Sequence, residues 1–368
     1  MRQAWRALAG LLAAGALTAG GSVALADGGD HGGKGNGKGG NALATTIFTM
    51  PAAPDGNPEG VAVDKRSGRF FVSRTATGAI FSGTLGTTAL APFIAGGTPG
   101  AGPLATGMKV RKGLLYVAGA TTGQIRVYDL AAPTAAPIVF NTGGGFINDL
   151  DVTERGDVYA TDSFKPFIYK VDAAAVRAGG PATAVTPISV APEITVDTTP
   201  GVFNLNGIVA NGDGVTVVQS NTGKLYRISF GGDKRSGDHG GHGDHAKAHK
   251  AQAAPAGRTI QEIDLGGADV KGGDGLLQDR GRLLVVRGST PTNANGAIDV
   301  VKLSHHRTGG RVESEISDPS FAGPSTIARA RNLLLVVNAN FAGGANATQF
   351  TVTGLARNAV RHGGHGRG

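Results

Sequence analysis

Short apolar runs of strand length recur six times along the chain, and each begins with Gly or Asn. Such runs, bounded by turn-forming residues, predict β-strands. They are GRFFVSR, GLLYVAG, GDVYATD, GVTVVQS, GRLLVVR and NLLLVVN. A short strand pattern precedes each run, and another follows it: GAIFSGTL, GQIRVYDL, PFIYKVD, GKLYRISF, GAIDVVKL and TQFTVTGL. The pattern predicts six copies of one unit and few helices.

The six units align on their first strands. These begin EGVAVD at Glu59, TGMKVR at Thr106, NDLDVT at Asn148, NGIVAN at Asn206, DGLLQD at Asp274 and STIARA at Ser325. Units of this length with several strands each are typical of propeller blades, which pack radially and close into a ring. An ordinary β-sandwich is the alternative. We predict an all-β chain that forms a six-bladed β-propeller over residues 45–355.

Four segments lie outside this pattern. Residues 1–26 combine early arginines, the apolar core ALAGLLAAGAL and the motif ALA, as in a secretory signal peptide cleaved near Ala26. Residues 27–44 predict a Gly-rich flexible leader, residues 231–257 a disordered His/Gly-rich insert, and residues 356–368 a basic tail. No other run approaches the roughly 20 apolar residues of a membrane-spanning helix. We therefore expect a secreted bacterial protein, in the extracellular space or the cell envelope.

Charge and cysteine content narrow the expected partners. The chain has 35 Lys and Arg against 27 Asp and Glu, a net charge of +8, which signal cleavage lowers to +6. No basic stripe with interleaved aromatic residues indicates nucleic acid. A mild positive charge favours either plain solubility or weak association with an anionic cell envelope. Without cysteine, the chain has neither disulfides nor thiol chemistry, and we expect a monomer.

The first residue of each aligned strand carries a side-chain oxygen. Because the innermost strand of every blade lines the central channel, these positions should converge at one channel mouth. Glu59 and Asp274 would supply two negative charges there, and Asn148 and Asn206 two amide oxygens. This all-oxygen set suits Ca²⁺, with Mg²⁺, Mn²⁺ or Zn²⁺ as alternatives. A mouth that holds only water is the simpler interpretation. The glycine that usually follows is expected to allow a sharp turn into the strand.

These residues carry a resemblance to a known family. PEGVAVD with Glu59, FIND with Asn148, NLNGIVA with Asn206 and GGDGLLQD with Asp274 resemble the metal-ligand motifs of the senescence-marker-protein/gluconolactonase/strictosidine-synthase-like propellers. The resemblance covers about 45 to 355, outside the insert. It implies a six-bladed propeller that binds a divalent metal, commonly calcium, and hydrolyses lactones. It also implies that the four residues are the metal ligands and that Asp274 is the general base.

One departure bears on the substrate. The gluconolactonase-type motif has a substrate-binding Arg two residues before the Asn148 position, where this chain has Phe146. A sugar lactone would lack that donor, so a less polar lactone or ester fits better. An apolar entrance would be formed by Phe146, Phe164, Phe167 and Phe203, although phenylalanines at such positions also serve inter-blade packing.

Three further residues are weaker candidates for substrate or supporting contacts. Thr106 and Ser325 are expected to line the channel, because no base adjacent in the pattern would make either a nucleophile. Asp149 lies next to Asn148, and strand alternation should point it in a different direction.

The histidines do not suggest catalysis. None of the nine precedes a strand from which it would reach the channel, so a Ser–His–Asp triad is not expected. His242, His245 and His249, with Asp244, would bind Zn²⁺, Cu²⁺ or Ni²⁺ loosely, or form a solvated spacer.

Two functions remain open at this point. The first is an exported metal-dependent hydrolase of a lactone or ester, with Asp274 accepting a proton. The second is a non-catalytic propeller with a structural metal that binds a cell-surface or protein partner.

Overall fold

The computed structural model describes residues 45–52, 54–212, 214–230, 257–288, 294–341, 343, 347 and 349–356. These residues form six four-stranded antiparallel sheets and one short helix. The innermost strand of each sheet contacts the innermost strands of both neighbouring sheets, so the six sheets close into a ring. The predicted six-bladed β-propeller is therefore confirmed.

The first three blades follow the chain from the inside of the ring to the outside. Blade one contains β2 (Pro58–Val63), β3 (Phe70–Arg74), β4 (Ile80–Gly83) and β5 (Ala91–Ile94). Blade two contains β6 (Met108–Arg111), β7 (Leu114–Ala118), β8 (Gln124–Asp129) and β9 (Ile138–Asn141). Blade three contains β10 (Ile147–Val152), β11 (Val158–Asp162), β12 (Phe167–Val171) and β13 (Thr186–Ser189), with helix α1 (Ala173–Arg177) before β13.

The last three blades repeat this order, with one exchange. Blade four contains β14 (Leu205–Asn211), β15 (Gly214–Gln219), β16 (Lys224–Ser229) and β17 (Thr259–Glu262). Blade five contains β18 (Gly273–Asp279), β19 (Arg282–Arg287), β20 (Ala297–Leu303) and β21 (Gly310–Ile316). Blade six contains β22 (Pro324–Ala330), β23 (Leu333–Asn338), β24 (Gln349–Ala356) and, as its outermost strand, β1 (Thr45–Pro51).

The exchange in blade six closes the ring. Strand β1 pairs antiparallel with β24 from Thr45–Leu355 to Pro51–Gln349. The first described strand of the chain thus completes the sheet formed by the last three. Backbone hydrogen bonds therefore join the first described strand of the chain to the last and close the ring of blades.

Apolar residues occupy the seams between blades. Six buried clusters lie one at each seam. At the seam between blades six and one, for example, Phe48, Phe70 and Val337 are at most 1% exposed. Because both faces of each sheet are covered by neighbouring blades, strands such as FFVSR and LLLVVN are apolar on both faces.

The inner strands share a local irregularity. Near the start of five of them, a β-bulge shifts the register. These bulges lie between Pro58 and Val61, Ile147 and Leu150, Leu205 and Ile208, Gly273 and Leu276, and Pro324 and Ile327. Bulges re-aim side chains and are common beside functional sites. Here each bulge contains one of the predicted channel-mouth residues.

The other predicted segments lie largely outside the described residues. This applies to the signal peptide 1–26, the leader 27–44, all of the insert 231–257 except Gly257, and all of the tail 356–368 except Ala356. His242, Asp244, His245 and His249 also lie outside, so these remain predictions. Among the described residues, no helix is long and apolar enough to cross a membrane.

Candidate metal centre

The inner strands begin at one end of the ring, here called the entrance end. Hydrogen bonds between adjacent inner strands show how closely these strand starts approach. The N–H of Gly107 donates to the Asn148 carbonyl at 2.8 Å, and the Ser325 hydroxyl donates to the Glu59 carbonyl at 2.7 Å. The backbone therefore brings the starts of neighbouring inner strands into direct contact at the entrance end.

The side chains of two of the predicted residues form hydrogen bonds with backbone carbonyls. The Thr106 hydroxyl donates to the carbonyl of Ile147 at 3.0 Å, as the Ser325 hydroxyl does to Glu59. Each hydroxyl therefore fastens one blade to the next. Because each hydroxyl donates to a backbone carbonyl oxygen in this structure, neither donates to a base as an activated nucleophile would.

The other four, Glu59, Asn148, Asn206 and Asp274, are here called the axial site. Glu59 is 4% exposed and Asn206 is 7% exposed. Glu59 Oε2, Asn206 Oδ1 and Asp274 Oδ1 are buried and have no hydrogen-bond partner among the described residues. A buried acceptor without a partner costs roughly 1–3 kcal/mol. Three such atoms from three different blades are therefore a set of oxygens that a bound cation would satisfy.

Burial and neighbouring negative charge raise the pKa of both carboxylates of the axial site. Burial, and after it the charges of Asp274 and Asp149, raises the pKa of Glu59 well above its usual range. Burial and the charge of Asp149 likewise raise the pKa of Asp274, against a hydrogen bond from Asn206. Like charges that share a buried site disfavour ionisation. A divalent cation would reverse this effect.

Asn148 is oriented by a residue that the sequence did not single out. Its Nδ2 donates to Ser163 Oγ at 2.8 Å, and Ser163 Oγ donates in turn to the Leu205 carbonyl at 2.6 Å. Because the amide nitrogen is held in this way, Oδ1 remains available as an acceptor. Ser163 follows β11 directly, and nothing in its local sequence distinguishes it from an ordinary turn serine.

Any cation bound at the axial site would need its two amide oxygens as well as its carboxylates. Among the described residues, no three His, Cys, Asp or Glu side chains come together in an arrangement that would hold a metal ion. A cation at the axial site would need Asn148 and Asn206 as well as the two carboxylates. This donor set, all oxygen and partly neutral, fits a hard cation such as Ca²⁺.

Asp149 is closer to the site than strand alternation suggests. The bulge between Ile147 and Leu150 breaks the alternation, and the charge of Asp149 raises the pKa of both axial carboxylates. Burial raises the pKa of Asp149 itself to about 6, against the opposing charge of Lys109. Asp149 therefore belongs to the same acidic cluster, and the positive charge that opposes its raised pKa comes from Lys109, which also pairs with Asp151 at 3.7 Å.

The glycines after the site residues have a different role from the one predicted. Gly60, Gly207 and Gly275 are not among the residues with positive φ. A Cβ on Gly60 would lie 2.3 Å from the Thr106 carbonyl oxygen, and one on Gly207 would lie 2.1 Å from the Asp274 carbonyl oxygen. The prediction of a sharp turn is wrong: these glycines allow neighbouring inner strands to approach around the axis.

An aromatic cluster lies beside the axial site at the entrance end. The rings of Phe146, Phe164 and Phe203 are 5.1 to 5.3 Å apart between centroids. Leu104 and Ala120 pack against them. Phe167 does not belong to this group, because its ring stacks on Tyr169 at 6.1 Å. The predicted apolar entrance therefore consists of three phenylalanines rather than four.

Asp162 anchors the loops that carry the aromatic cluster. Its Oδ1 accepts hydrogen bonds from the N–H groups of Phe146 at 3.0 Å, Phe164 at 2.9 Å and Lys165 at 3.0 Å. Its Oδ2 accepts one from the Tyr169 hydroxyl at 3.2 Å. Asp162 was not among the predicted site residues, although an Asp before Ser-Phe-Lys-Pro is typical of a turn in which the carboxylate caps nearby N–H groups.

Comparisons with known proteins agree with the fold. No protein-family model matches the chain, and no curated protein matches it in sequence. Among solved structures, a calcium-binding regucalcin from Agrobacterium tumefaciens has a TM-score of 0.55 and 15% identity, over 85% of this chain and 95% of that one. A virginiamycin B lyase from Staphylococcus aureus has a TM-score of 0.53 and 10% identity, over 86% and 99%. A gluconolactonase from Xanthomonas campestris has a TM-score of 0.51 and 13% identity, over 84% and 89%.

Proposed function

We propose that this protein is an exported, divalent-cation-dependent hydrolase of a lactone or ester, and that Ca²⁺ is the cation. Glu59, Asn148, Asn206 and Asp274 would hold it. The observation that carries the proposal is the set of buried, unpartnered oxygens on three of these residues. The bound cation would polarise the substrate carbonyl and lower the pKa of a water molecule.

Asp274 is proposed as the proton acceptor. Its Oδ1 is buried and has no hydrogen-bond partner among the described residues, so it would be available to accept a proton from a water molecule in the site. The water loses a proton to Asp274 as its oxygen adds to the carbonyl carbon. The C–O bond of the ester then breaks, and the proton passes to the leaving alkoxide. The products are a carboxylic acid, which releases its remaining proton to solvent, and an alcohol; the two groups are joined in one molecule when the substrate is a lactone.

The aromatic cluster supports a substrate of low polarity. The partly buried rings of Phe164 and Phe203 present apolar surface at the entrance end, where they pack against the buried Phe146, and none of the three can donate a hydrogen bond to a sugar hydroxyl. Apolar contact would orient an alkyl or aryl group and exclude water from one side of the reacting carbonyl. We therefore propose a lactone or ester with few hydroxyl groups.

The proposal is tested by calorimetric titration of Ca²⁺ into the wild type and into the Glu59→Gln/Asp274→Asn variant. Removing both charges should weaken binding at least about 100-fold, because the remaining amides are neutral. Glu154→Gln, at an exposed site, is the matched control and should bind as the wild type does. Unchanged binding in the double variant would refute the axial site.

Hydrolysis is tested separately with a panel of lactones and esters, with and without EDTA. Turnover that EDTA abolishes and Ca²⁺ restores is the expected result. A cation that raises the melting temperature while no substrate is hydrolysed would favour the second function, a non-catalytic propeller with a structural metal that binds a protein or cell-surface partner.

Export is proposed from the first 26 residues. Mass spectrometry of the protein recovered outside bacterial cells should show a new N-terminus near Ala26. Retention of the intact N-terminus inside the cell would contradict this part of the proposal.

A further inference from the structure

Positive charge is concentrated at the end of the ring opposite the axial site, here called the far end. The inner hairpins that join the first two strands of each blade have their tips there. In five of the six blades the tip carries an exposed Lys or Arg. These tip cations are Lys65, Arg66 and Arg69 in blade one, Lys112 in blade two, Arg155 in blade three, Arg280 in blade five and Arg331 in blade six.

Acids offset the positive charge of these tips only in part. None of the tip cations forms an ion pair with an acid anywhere in the described part of the chain. Asp279, next to Arg280, is buried and pairs with Arg329 at 2.9 Å. Asp64, in the blade-one tip, accepts hydrogen bonds from the Arg66 N–H and the Ser67 hydroxyl. Glu154, next to Arg155, is the one exposed acid among the described tip residues.

Three tip cations occupy backbone positions that do not suit them. Lys112, Arg280 and Arg331 have φ values of +49°, +46° and +52°. In the blade-two and blade-five hairpins the next residue, Gly113 or Gly281, also has a positive φ. A two-residue turn of this type favours Asn, Asp or Gly at its first position. Long cationic side chains therefore stand where the turn alone would select another residue, as is common at functional positions.

We propose that the far end binds a linear polyanion with repeating phosphate groups. The tip cations belong to separate blades and surround the far end of the channel, so no single small anion would contact most of them. A long chain with many charges contacts several tips at once, and the weak contacts then act together.

Two other anionic partners fit less well. Proteins that bind anionic membranes usually also insert aromatic or aliphatic side chains. The one large apolar side chain exposed among the described residues is Phe341, which follows β23 at the entrance end. Single-stranded nucleic acid is usually bound with stacking aromatic residues, and none of the tips named above contains one.

The test uses the full chain and fluorescently labelled, long-chain inorganic polyphosphate, with binding measured by anisotropy over a range of salt concentrations. The tip variant is Lys112→Asn/Arg280→Asn. The matched control, Lys165→Asn/Lys271→Asn, removes the same charge from the entrance end. The tip variant should lose about tenfold in affinity at low salt, and its slope of log K against log salt should fall by about 1.4. The control should lose less than about twofold.

Several results would overturn the proposal. Equal losses in the tip variant and the control would show that binding follows net charge only. Undiminished binding in the tip variant would place the polyanion on another part of the chain. Tighter binding to phosphatidylglycerol vesicles or to single-stranded DNA of equal charge would assign the far end to a membrane or to nucleic acid. Circular dichroism of both variants checks that each is folded, and the asparagine substitutions suit the local turns.

Discussion

The entrance end and the far end of the ring are formed by opposite ends of the same inner strands, yet they carry charge in opposite ways. At the entrance end, Glu59 and Asp149 are buried, with few counter-charges. At the far end, Lys112, Arg280 and Arg331 are exposed on turns. The buried acids have unfavourable solvation, and the exposed cations have unfavourable backbone conformations.

This difference shows that the repeated unit constrains its two ends unequally. At the entrance end, neighbouring strands touch, so backbone contacts and glycines leave almost no choice of residue. At the far end, the tips are open to solvent, and the fold tolerates residues that the turn does not favour. Features at the entrance end should therefore be sensitive to substitution, and those at the far end should be tolerant.

The largest effect is expected from Gly207→Ala at the entrance end. The new Cβ would lie 2.1 Å from the Asp274 carbonyl oxygen, so the strands must separate. The free energy of unfolding should fall by about 2–4 kcal/mol. Gly86→Ala, in the far-end turn after β4, places its Cβ no closer than 3.9 Å to its nearest neighbour and should change stability by less than about 0.5 kcal/mol. Urea unfolding measures both changes, and equal effects would contradict the expected difference in tolerance between the two ends.

A somewhat smaller effect is expected from Asp162→Ala. Three N–H groups lose their acceptor, and the unfolding free energy should fall by about 2–3 kcal/mol. Asp162→Asn keeps one oxygen acceptor and should lose roughly half as much. An alanine variant as stable as the wild type would mean that water satisfies these groups.

A moderate effect should appear in the pH dependence of the metal-free protein. The pKa values of Glu59, Asp274 and Asp149 are raised in the folded state, so the folded protein holds more protons than the unfolded chain above the ordinary carboxyl range. Stability is then greatest below about pH 4 for these groups and falls as pH rises through about 6, the pKa of Asp149. For Asp149 alone, a loss of up to about 3 kcal/mol is expected by pH 7.

Urea titrations at several pH values, with EDTA and with saturating Ca²⁺, measure this trend. Ca²⁺ should abolish the loss, because the cation binds the ionised carboxylates. Stability that rises with pH in EDTA would contradict the acidic cluster. Glu154→Gln, at the far end, should leave the profile unchanged.

The smallest effect is expected from Lys112→Asn at the far end. Asn suits the positive φ of this position, so the unfolding free energy should rise by about 0.5–1 kcal/mol. Lys65→Asn removes the same charge at a residue without positive φ and should have no measurable effect. A loss of stability in Lys112→Asn would show that the lysine contributes to folding.

The repeated strands could be predicted from sequence because their signal is local. Each apolar run and its turn residues lie within one blade, and six copies reinforce one another. The closing strand β1 was not predicted as part of blade six. Its sequence, TTIFTMP, is an ordinary strand pattern, and its partner β24 is about 300 residues away.

The site was less predictable where geometry departs from ideal strands. Alternation misplaced Asp149 because the bulge in β10 adds a residue to the inner strand. The role of Ser163 depends on its contact with the Leu205 carbonyl of blade four, for which the local sequence gives no signal, whereas Asp162 caps N–H groups two and three residues away and could have been identified from its turn sequence. Phe167 was grouped with Phe146 on residue type alone, whereas it is the first residue of β12 and its ring stacks on Tyr169.

The pairing of β1 with β24 also determines when the axial site can first exist. Thr326 and Ser325 in blade six fasten the Glu59 carbonyl, and β1 holds blade six to blade one. During synthesis, a ribosome-bound chain that has not reached Leu355 cannot pair β1 with β24 along its full length and so cannot close the ring of blades. Ion capture would therefore be a late event that follows joining of the two chain ends. A chain translocated in an unfolded state would load its ion only at its destination.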